Sequence, residues 1–328
     1  MKKRNIAALG VFCLVFICFL IYLPKQSAAA EKYPTRAIKF VVPYAAGGQT
    51  DVVCRKIVYL AKEALGNEMI VDNKVGASGL VTASFLAKAK PDGYTIGAIP
   101  TTPFLVSPNY SKIDFDPVTA FTALGQIFTG NQMLAVGGGS SIKTFKEFAE
   151  EAHKRQVTVA TTGLGPTEVA LRRLAVEAKL NLRIVPFEGS APAVMAVMGG
   201  QMDAFAGGGS YEYIKAGKIK VIARFTALES GSVKGAPSLK ELGYNIEAIE
   251  FLGIFGPKGL PEPIEKRLES EFSKALHDPS VVQLIDNVGS TAVYRNGKDF
   301  AEYIKKAYDQ SKKEFQELGL GIYAKDKK

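Results

Sequence analysis

The strongest constraint on the fold is a regular alternation of short β-rich runs with helical runs, which begins after Pro34. Residues 38–42 are apolar and predict a strand, while apolar residues recur along one face of 51–65, as in an amphipathic helix. The same series continues with a strand at 69–71, a helix at 80–89 and a strand at 94–99. This β-α-β-α-β order predicts a parallel sheet with helices on its faces.

A second series of elements follows and is too long to join the same sheet. We predict strands at 133–136, 157–160, 183–187, 202–205 and 219–225, and helices at 144–154, 167–180 and 190–198. Two sheets of about five strands each are nearer the usual size than one large sheet. The fold class is therefore predicted as α/β with two lobes, each a mainly parallel sheet flanked by helices.

The last part of the chain is mainly helical and is expected to pack back on the first lobe. Lobe 1 then comprises 31–132 and 250–328, and lobe 2 is an insertion of 133–249. The chain would cross between the lobes near 131–136 and again near 249–255. Two crossovers allow the lobes to hinge, and the crevice between them is a favoured place for a ligand.

The N-terminal segment has the features of a secretory signal peptide over residues 1–30. Basic residues at 2–4 precede an apolar run over 6–23, and small residues at 27–30 suit cleavage after Ala30. These features predict an exported protein, periplasmic or otherwise extracytoplasmic. An uncleaved membrane anchor is the alternative, because the apolar run is longer than is usual for a signal peptide.

Charge and cysteine content narrow the possible functions of the remaining chain. Without residues 1–30 the formal charge falls from +9 to +5, and Cys54 is the only cysteine left. One thiol cannot form an internal disulfide or a cysteine-based metal site. The basic residues of the predicted helix over 298–318 alternate with acids, which is typical of a solvated helix rather than a nucleic-acid face. We expect a monomer that binds no nucleic acid.

Three loops share one pattern, in which a strand ends, small residues follow and a helix starts. They are 43–51, 161–167 and 187–192. Glycine lets the backbone approach a bound group closely, and the first turn of a helix offers unpaired N–H donors at the positive end of its dipole. A carboxylate suits such a place, and the carboxyl ends of parallel strands bring such loops together.

Motifs for nucleotide binding and catalysis are missing from the sequence. No G-x-G-x-x-G follows the first predicted strand, and there is no G-x-x-x-x-G-K-[ST] or G-x-S-x-G. His153 and His277 lie in charged helical stretches, and Cys54 lies in a mostly apolar helix. Neither a catalytic triad, nor a metal site, nor a cofactor is predicted, and the chain is not expected to be an enzyme.

Several motifs follow one another in the order seen in one family. They are Val42-Pro43-Tyr44 with Gly47-Gly48 and Asp51, then Pro91-Asp92-Gly93-Tyr94-Thr95, Phe187-Glu188-Gly189-Ser190-Ala191-Pro192, and Phe255-Gly256-Pro257-Lys258-Gly259. In this the chain resembles the substrate-binding proteins of tripartite tricarboxylate transporters. The resemblance implies a periplasmic Venus-flytrap protein that closes on a small carboxylate and delivers it to a membrane permease. In that family, main-chain groups and ordered water typically hold the ligand carboxylate.

Carried over to this chain, the resemblance implies a set of ligand-binding residues in both lobes. They are Tyr44, Ala46, Gly47, Gln49, Thr50, Asp51, Thr101, Thr102, Thr162, Gly163, Phe187, Gly189, Ser190 and Ala191. The chain departs from the family where Val169 replaces a His and Ala206 an Asp, which makes the far end of the ligand less polar or differently charged. Arg224 is a further candidate, either at the surface or in the crevice against a second carboxylate.

Two other functions remain open on the sequence. The same bilobed module could present its ligand-bound form to a membrane sensor kinase instead of a permease. A hydrolase or transferase that uses Ser190 or Asp51 is the third possibility, and it requires turnover of the ligand.

Overall fold

The computed structural model describes residues 33–228 and 231–324, and its main compact unit begins at Arg36. The predicted signal peptide over 1–30 lies outside the described residues. Within these residues no helix is both long enough and apolar enough to cross a bilayer.

The strands of the compact unit form two separate sheets. The first sheet has the order β11-β4-β10-β3-β1-β2. Its strands are β1 (Ile38–Val42), β2 (Met69–Asn73), β3 (Thr95–Pro100), β4 (Phe121–Gly130), β10 (Phe251–Pro257) and β11 (Ser290–Ala292). The second sheet has the order β7-β6-β8-β5-β9. Its strands are β5 (Met133–Gly137), β6 (Val157–Thr161), β7 (Leu182–Pro186), β8 (Ala204–Gly207) and β9 (Ile219–Arg224).

Both sheets are mixed, so the prediction of mainly parallel sheets is wrong. In the first sheet β1 pairs parallel with β2 and β3, whereas β10 is antiparallel to β3 and β4. In the second, β6 is parallel to β7 and β8, whereas β5 is antiparallel to β8 and β9. Parallel neighbours need a crossover connection, usually a helix. Only the β-α-β series supply one, because β5 follows β4 after two residues and β10 follows an irregular segment.

Helices flank the sheets and the longer ones lie close to their predicted positions. The helices are α1 (Gln49–Leu65), α2 (Leu80–Ala87), α3 (Thr102–Leu105), α4 (Ser107–Tyr110), α5 (Phe145–Lys154), α6 (Pro166–Glu177), α7 (Ser190–Met198), α8 (Tyr211–Lys215), α9 (Glu262–Leu276), α10 (Pro279–Asn287) and α11 (Gly297–Leu318). Helix α1 buries Val53, Ile57 and Ala61 on one face and ends at Gly66 in the left-handed conformation. The α/β class with two sheets and flanking helices is thus confirmed.

Aromatic rings fix the last helix against the first sheet. Phe251 and Phe255 of β10 pack on Phe300 of α11, with ring centroids 5.1 and 5.4 Å apart. A Cβ on Gly253 would lie 2.1 Å from the Phe300 ring, so no larger residue fits between them. The core of the first sheet therefore depends on a chain segment far from β1 to β3 in sequence.

Helix α6 packs on both sheets. Leu171 and Leu174 belong to the core beside the second sheet, whereas Val169 belongs to the core that contains Phe251 and Phe300. Arg173 on the same helix donates from Nη1 to Glu314 Oε1 of α11 at 3.2 Å. Helix α6 therefore contacts the cores of both sheets and the last helix.

Candidate ligand-binding site

A cavity of about 420 Å³ lies between loops of the two sheets. The first sheet contributes the loops after β1 and β3, and the second contributes the loops after β6, β7 and β8. All five of these strands belong to the parallel pairs of β1 and β6, whose carboxyl ends point to the cavity. Ligands of open α/β sheets bind at this edge.

Eight of the predicted ligand residues line this cavity. They are Tyr44, Gln49, Thr50, Thr102, Thr162, Gly163, Gly189 and Ser190. The other predicted residues lie outside its lining, namely Ala46, Gly47, Asp51, Thr101, Phe187, Ala191 and Arg224. A larger depression of about 680 Å³ is lined by residues 137–142, Arg155, Asp203 and others of the second sheet, and it contains no predicted ligand residue.

Asp51 holds the first loop in place instead of facing the cavity. Its carboxylate is buried and accepts hydrogen bonds from the Gly47 amide, Arg55 Nε and Asn73 Nδ2, each at 2.8 Å. Burial raises the pKa of Asp51, but the hydrogen bonds from Arg55, Asn73 and Gly47 outweigh it, so the net pKa is lowered. Asn73 also donates to the Tyr44 carbonyl at 2.8 Å. The Gly47 amide and the Asp51 carboxylate therefore bond to each other and not to a ligand.

Thr101 also has a structural role, because it joins β3 to β10. Its buried hydroxyl donates to the Phe251 carbonyl at 3.1 Å and accepts from the Phe251 amide at 2.6 Å. The neighbouring Thr102 lines the cavity. Thr101 thus stabilises the sheet, whereas Thr102 lines the cavity.

Three of the longer helices, α1, α6 and α7, begin at the cavity, and none of them has a side-chain cap. Gly48, Gly165 and Gly189 precede α1, α6 and α7, and no side chain accepts from the first turn of these helices. In contrast, Thr144, Asp278 and Asn296 cap α5, α10 and α11, none of which begins at the cavity. First-turn amides without a cap retain the ability to bind an anion.

Within the described part of the chain, Ser190 bonds to a carbonyl and not to a base. Its hydroxyl donates to the Gly208 carbonyl at 2.8 Å. The histidines bond to carbonyls elsewhere, His153 Nε2 to Ala178 at 3.0 Å and His277 Nδ1 to Ser273 at 2.7 Å. A serine nucleophile needs an adjacent base, which these contacts do not supply. Among the described residues, no cluster of His, Cys, Asp and Glu could hold a metal ion.

Arg224 lies neither at the surface nor in the crevice, so both expectations for this residue are wrong. It is 3% exposed, and its guanidinium donates to the carbonyls of Ala236, Thr226 and Ala227 at 2.7–2.9 Å and to the Glu241 carboxylate at 3.1 and 3.2 Å. These bonds occupy its donors. Arg224 stabilises the irregular segment after β9, because carbonyls that are buried there without a strand partner need donors.

The chain crossings contribute cavity residues that the loop pattern did not predict. Gln132 precedes β5, and its Oε1 accepts from Thr167 Oγ1 at 2.7 Å. Glu250 precedes β10, and burial raises the pKa of its carboxyl to about 8. Both residues lie where crossovers were expected. A search of those segments for polar side chains could have found them.

Comparison with known proteins agrees with this architecture. A model of the tripartite tricarboxylate transporter family receptor matches residues 53–320. A UPF0065 protein encoded in the gbd 5′ region of Cupriavidus necator is 28% identical, over 98% of this chain and 99% of its own length. A solved structure of a periplasmic transporter is 29% identical and superposes with a TM-score of 0.77, over 88% of this chain and 99% of the other.

A structure with ligand is also similar. MatC from Rhodopseudomonas palustris with bound malate is 26% identical, with a TM-score of 0.73, over 86% of this chain and 99% of MatC. These similarities cover both sheets and the cavity between their loops. The chain belongs to the tripartite tricarboxylate transporter receptor family.

Proposed function

We propose that this chain is an extracytoplasmic solute-binding protein that captures a small carboxylate-bearing solute in the 420 Å³ cavity. One observation carries the proposal: three helices with uncapped, glycine-preceded starts meet at that cavity, from both sheets. Amides and helix dipoles there would hold a carboxylate without an arginine. Malate bound to the similar MatC supports a solute of this class.

The residues proposed to contact the solute are the eight predicted residues that line the cavity. From the first sheet these are Tyr44, Gln49, Thr50 and Thr102, and from the second Thr162, Gly163, Gly189 and Ser190. Neither set alone surrounds the cavity. Binding is therefore coupled to the approach of the two sheets.

We assign the two sheets to two lobes that hinge at the chain crossings. Lobe 1 is 31–132 and 250–328, and lobe 2 is 133–249. This division agrees with sheet membership, since β5 to β9 all lie within 133–249. Export by a signal peptide over 1–30 would place the mature chain outside the cytoplasmic membrane. There it would act as a single copy that passes its solute to the permease subunits of a tripartite transporter.

Thermal-shift screening of the purified chain tests the proposal. Matched mono-, di- and tricarboxylates are compared with the corresponding amides and alcohols, which have the same shapes without the charge. A bound carboxylate should raise the melting temperature by mass action, and its amide should not. Mass spectrometry of small molecules retained through purification identifies the natural solute class. If no carboxylate stabilises the protein and none is retained, the proposal is refuted.

A further inference from the structure

Glu250 lies where the two chain crossings meet at the cavity. Its carbonyl accepts from Thr129 Oγ1 at 2.9 Å and from the Gly130 amide at 3.2 Å. A Cβ on Gly130 would lie 2.7 Å from Glu250 Cγ and 2.9 Å from Gln132 Nε2. The Glu250 side chain therefore packs across Gly130, beside Gln132, and its carboxyl lines the cavity.

The well-buried acids Asp51, Glu168 and Glu271 have basic partners, whereas the half-buried Glu250 has none among the described residues. Asp51 pairs with Arg55 at 2.8 Å, Glu168 with Arg172 at 2.7 Å, and Glu271 with Lys274 at 2.9 Å. Within residues 33–228 and 231–324, no side chain forms a hydrogen bond or an ion pair with the Glu250 carboxyl. A carboxyl that lines the cavity without a basic partner among the described residues is available to pair with a cationic group of a solute.

Among the described residues, the cavity lining contains no basic side chain. It includes two carboxyls, those of Glu168 and Glu250, and no Lys, Arg or His from residues 33–228 and 231–324. The Arg172 partner neutralises Glu168. Without a positive group near Glu250, a solute with a second carboxylate at that point would meet a carboxyl and no counter-charge.

We infer that Glu250 is the counter-ion for a positively charged nitrogen of the solute, so that the protein selects zwitterions that carry one carboxylate and one cationic group. This inference rests on the proposed function, because the carboxylate of the zwitterion occupies the uncapped helix starts. The cationic group would lie at the crossings, against Glu250. The net charge of such a solute is zero, which agrees with a lining whose described residues include no basic one.

Protonation of the empty site is compatible with this role. Burial raises the pKa of Glu250 to about 8, so at pH 7 the empty site is mostly neutral. Ionisation on binding lowers affinity at pH 7 by about tenfold, because one pKa unit is a factor of ten. Attraction between the ionised carboxylate and a cation about 4 Å away in a partly dry cavity increases affinity by more than this tenfold loss. Affinity for a cationic solute therefore rises with pH through about 8.

The polar side chains that share the cavity with Glu250 include those of Tyr44, Glu168 and Gln132. The Tyr44 phenol faces it from the loop after β1, and its pKa is raised by burial and by the charge of Glu250. Glu168 in the first turn of α6 shares the cavity and is paired with Arg172. Gln132 beside it is uncharged. A pH dependence near 8 in the described site is thus assigned to Glu250.

Isothermal titration with three probe series tests the inference. The series are ω-trimethylammonio carboxylates, which keep their positive charge at every pH, and alkanoates and α,ω-dicarboxylates of equal chain length. We expect the best trimethylammonio probe to bind at least tenfold more tightly than its alkanoate and dicarboxylate counterparts. Its affinity should increase several-fold from pH 6.5 to 8.5. In Glu250→Gln both effects should disappear, while alkanoate affinity changes less than threefold.

The outcomes separate the inference from the proposed function. If dicarboxylates bind best and weaken as pH rises, Glu250 is a neutral donor and the inference is overturned. If all carboxylates bind equally in wild type and variant, the inference fails while the proposed function stands. If no carboxylate binds, both fail. The pH profile of the wild type gives the same decision should Glu250→Gln not fold.

Discussion

At the scale of single residues, two carboxyls near one cavity differ in their hydrogen-bond partners and in the direction of their pKa shifts. Asp51 accepts three hydrogen bonds and holds a loop, whereas Glu250 is half-buried without a basic partner among the described residues. The pKa of Asp51 is lowered and that of Glu250 is raised. One residue therefore stabilises the empty protein at neutral pH and the other destabilises it.

Replacing Glu250 with Gln should stabilise the empty protein at high pH. The folded pKa of about 8 lies above the ordinary glutamate value of 4.5, so the native state holds a proton that the unfolded state has lost. The free energy of unfolding therefore falls as pH rises between these values. Water near this half-buried side chain reduces the effect. We expect the free energy of unfolding of wild type to fall by about 2 kcal/mol relative to that of Glu250→Gln between pH 5 and 9. Guanidinium denaturation measures this, and parallel curves would contradict it.

Replacing Asp51 with Asn should destabilise the protein at pH 7 by about 2 kcal/mol, because Arg55 loses its partner and the loop loses a charged acceptor. The lowered pKa places this contribution above the unfolded pKa, so it is lost as pH falls and the difference shrinks below about pH 4. Asp72→Asn is the control, since Asp72 contacts Lys39 and Lys74 only at 3.5 Å and is a third exposed. Equal losses for both variants in chemical denaturation would refute the role of Asp51.

The sequence pattern indicates the backbone of the cavity better than its side chains. Glycine near a helix start is visible in sequence, and Gly163 and Gly189 lie in the cavity lining. Burial and partner choice depend on the whole fold. For that reason local pattern places Arg224 at the surface or in the crevice although it is buried, and it gives no signal for Glu250 although Glu250 lines the cavity.

At the scale of elements, the helix starts at the cavity share one feature. Glycine precedes α1, α6 and α7 and no side chain caps them, whereas side chains cap α5, α10 and α11, which begin away from the cavity. A side-chain cap is worth about 1 kcal/mol to a helix. Leaving α1, α6 and α7 without one costs stability in the empty protein and leaves their amides for a ligand.

The conformation of Gly189 allows a sharp test of the α7 start. Its φ of 109° is one that L-residues rarely adopt, so Gly189→Ala must shift the loop. We expect carboxylate affinity to fall about tenfold, the equivalent of about 1.4 kcal/mol. Gly243→Ala is the matched control, because Gly243 also has positive φ, 93°, with open space around it, but does not line the cavity. Loss of affinity in both variants by titration calorimetry would show a general effect of strain.

Strand direction could be predicted only where helices join the strands. The β-α-β series indicated the parallel pairs of β1 with β2 and β3 and of β6 with β7 and β8. The pairings of β10 and β11 with β4 bring together residues far apart in sequence. No local period encodes such pairing, because it depends on how the chain returns from the second sheet.

At the scale of the whole molecule, contacts away from the cavity should set how tightly it closes. Helix α6 starts at the cavity and packs on α11, where Arg173 Nη1 meets Glu314 Oε1 at 3.2 Å. Arg173 Nε also donates to Glu177 on its own helix at 2.7 Å. The first pair joins elements assigned to different lobes, whereas the second lies within one lobe. Only the first can favour a closed arrangement.

Arg173→Met should therefore weaken solute binding without contacting the solute. An ion pair of this kind contributes about 0.5–1 kcal/mol, so we expect a two- to fivefold loss of affinity and a larger radius of gyration in the empty protein by small-angle scattering. Glu177→Gln, which breaks only the pair within the helix, should change neither quantity. Saturating ligand should return Arg173→Met to the compact form of wild type, because binding supplies the closing free energy. If the two variants behaved alike, the contact between α6 and α11 would have no part in closure, and the hinge would be controlled at the chain crossings alone.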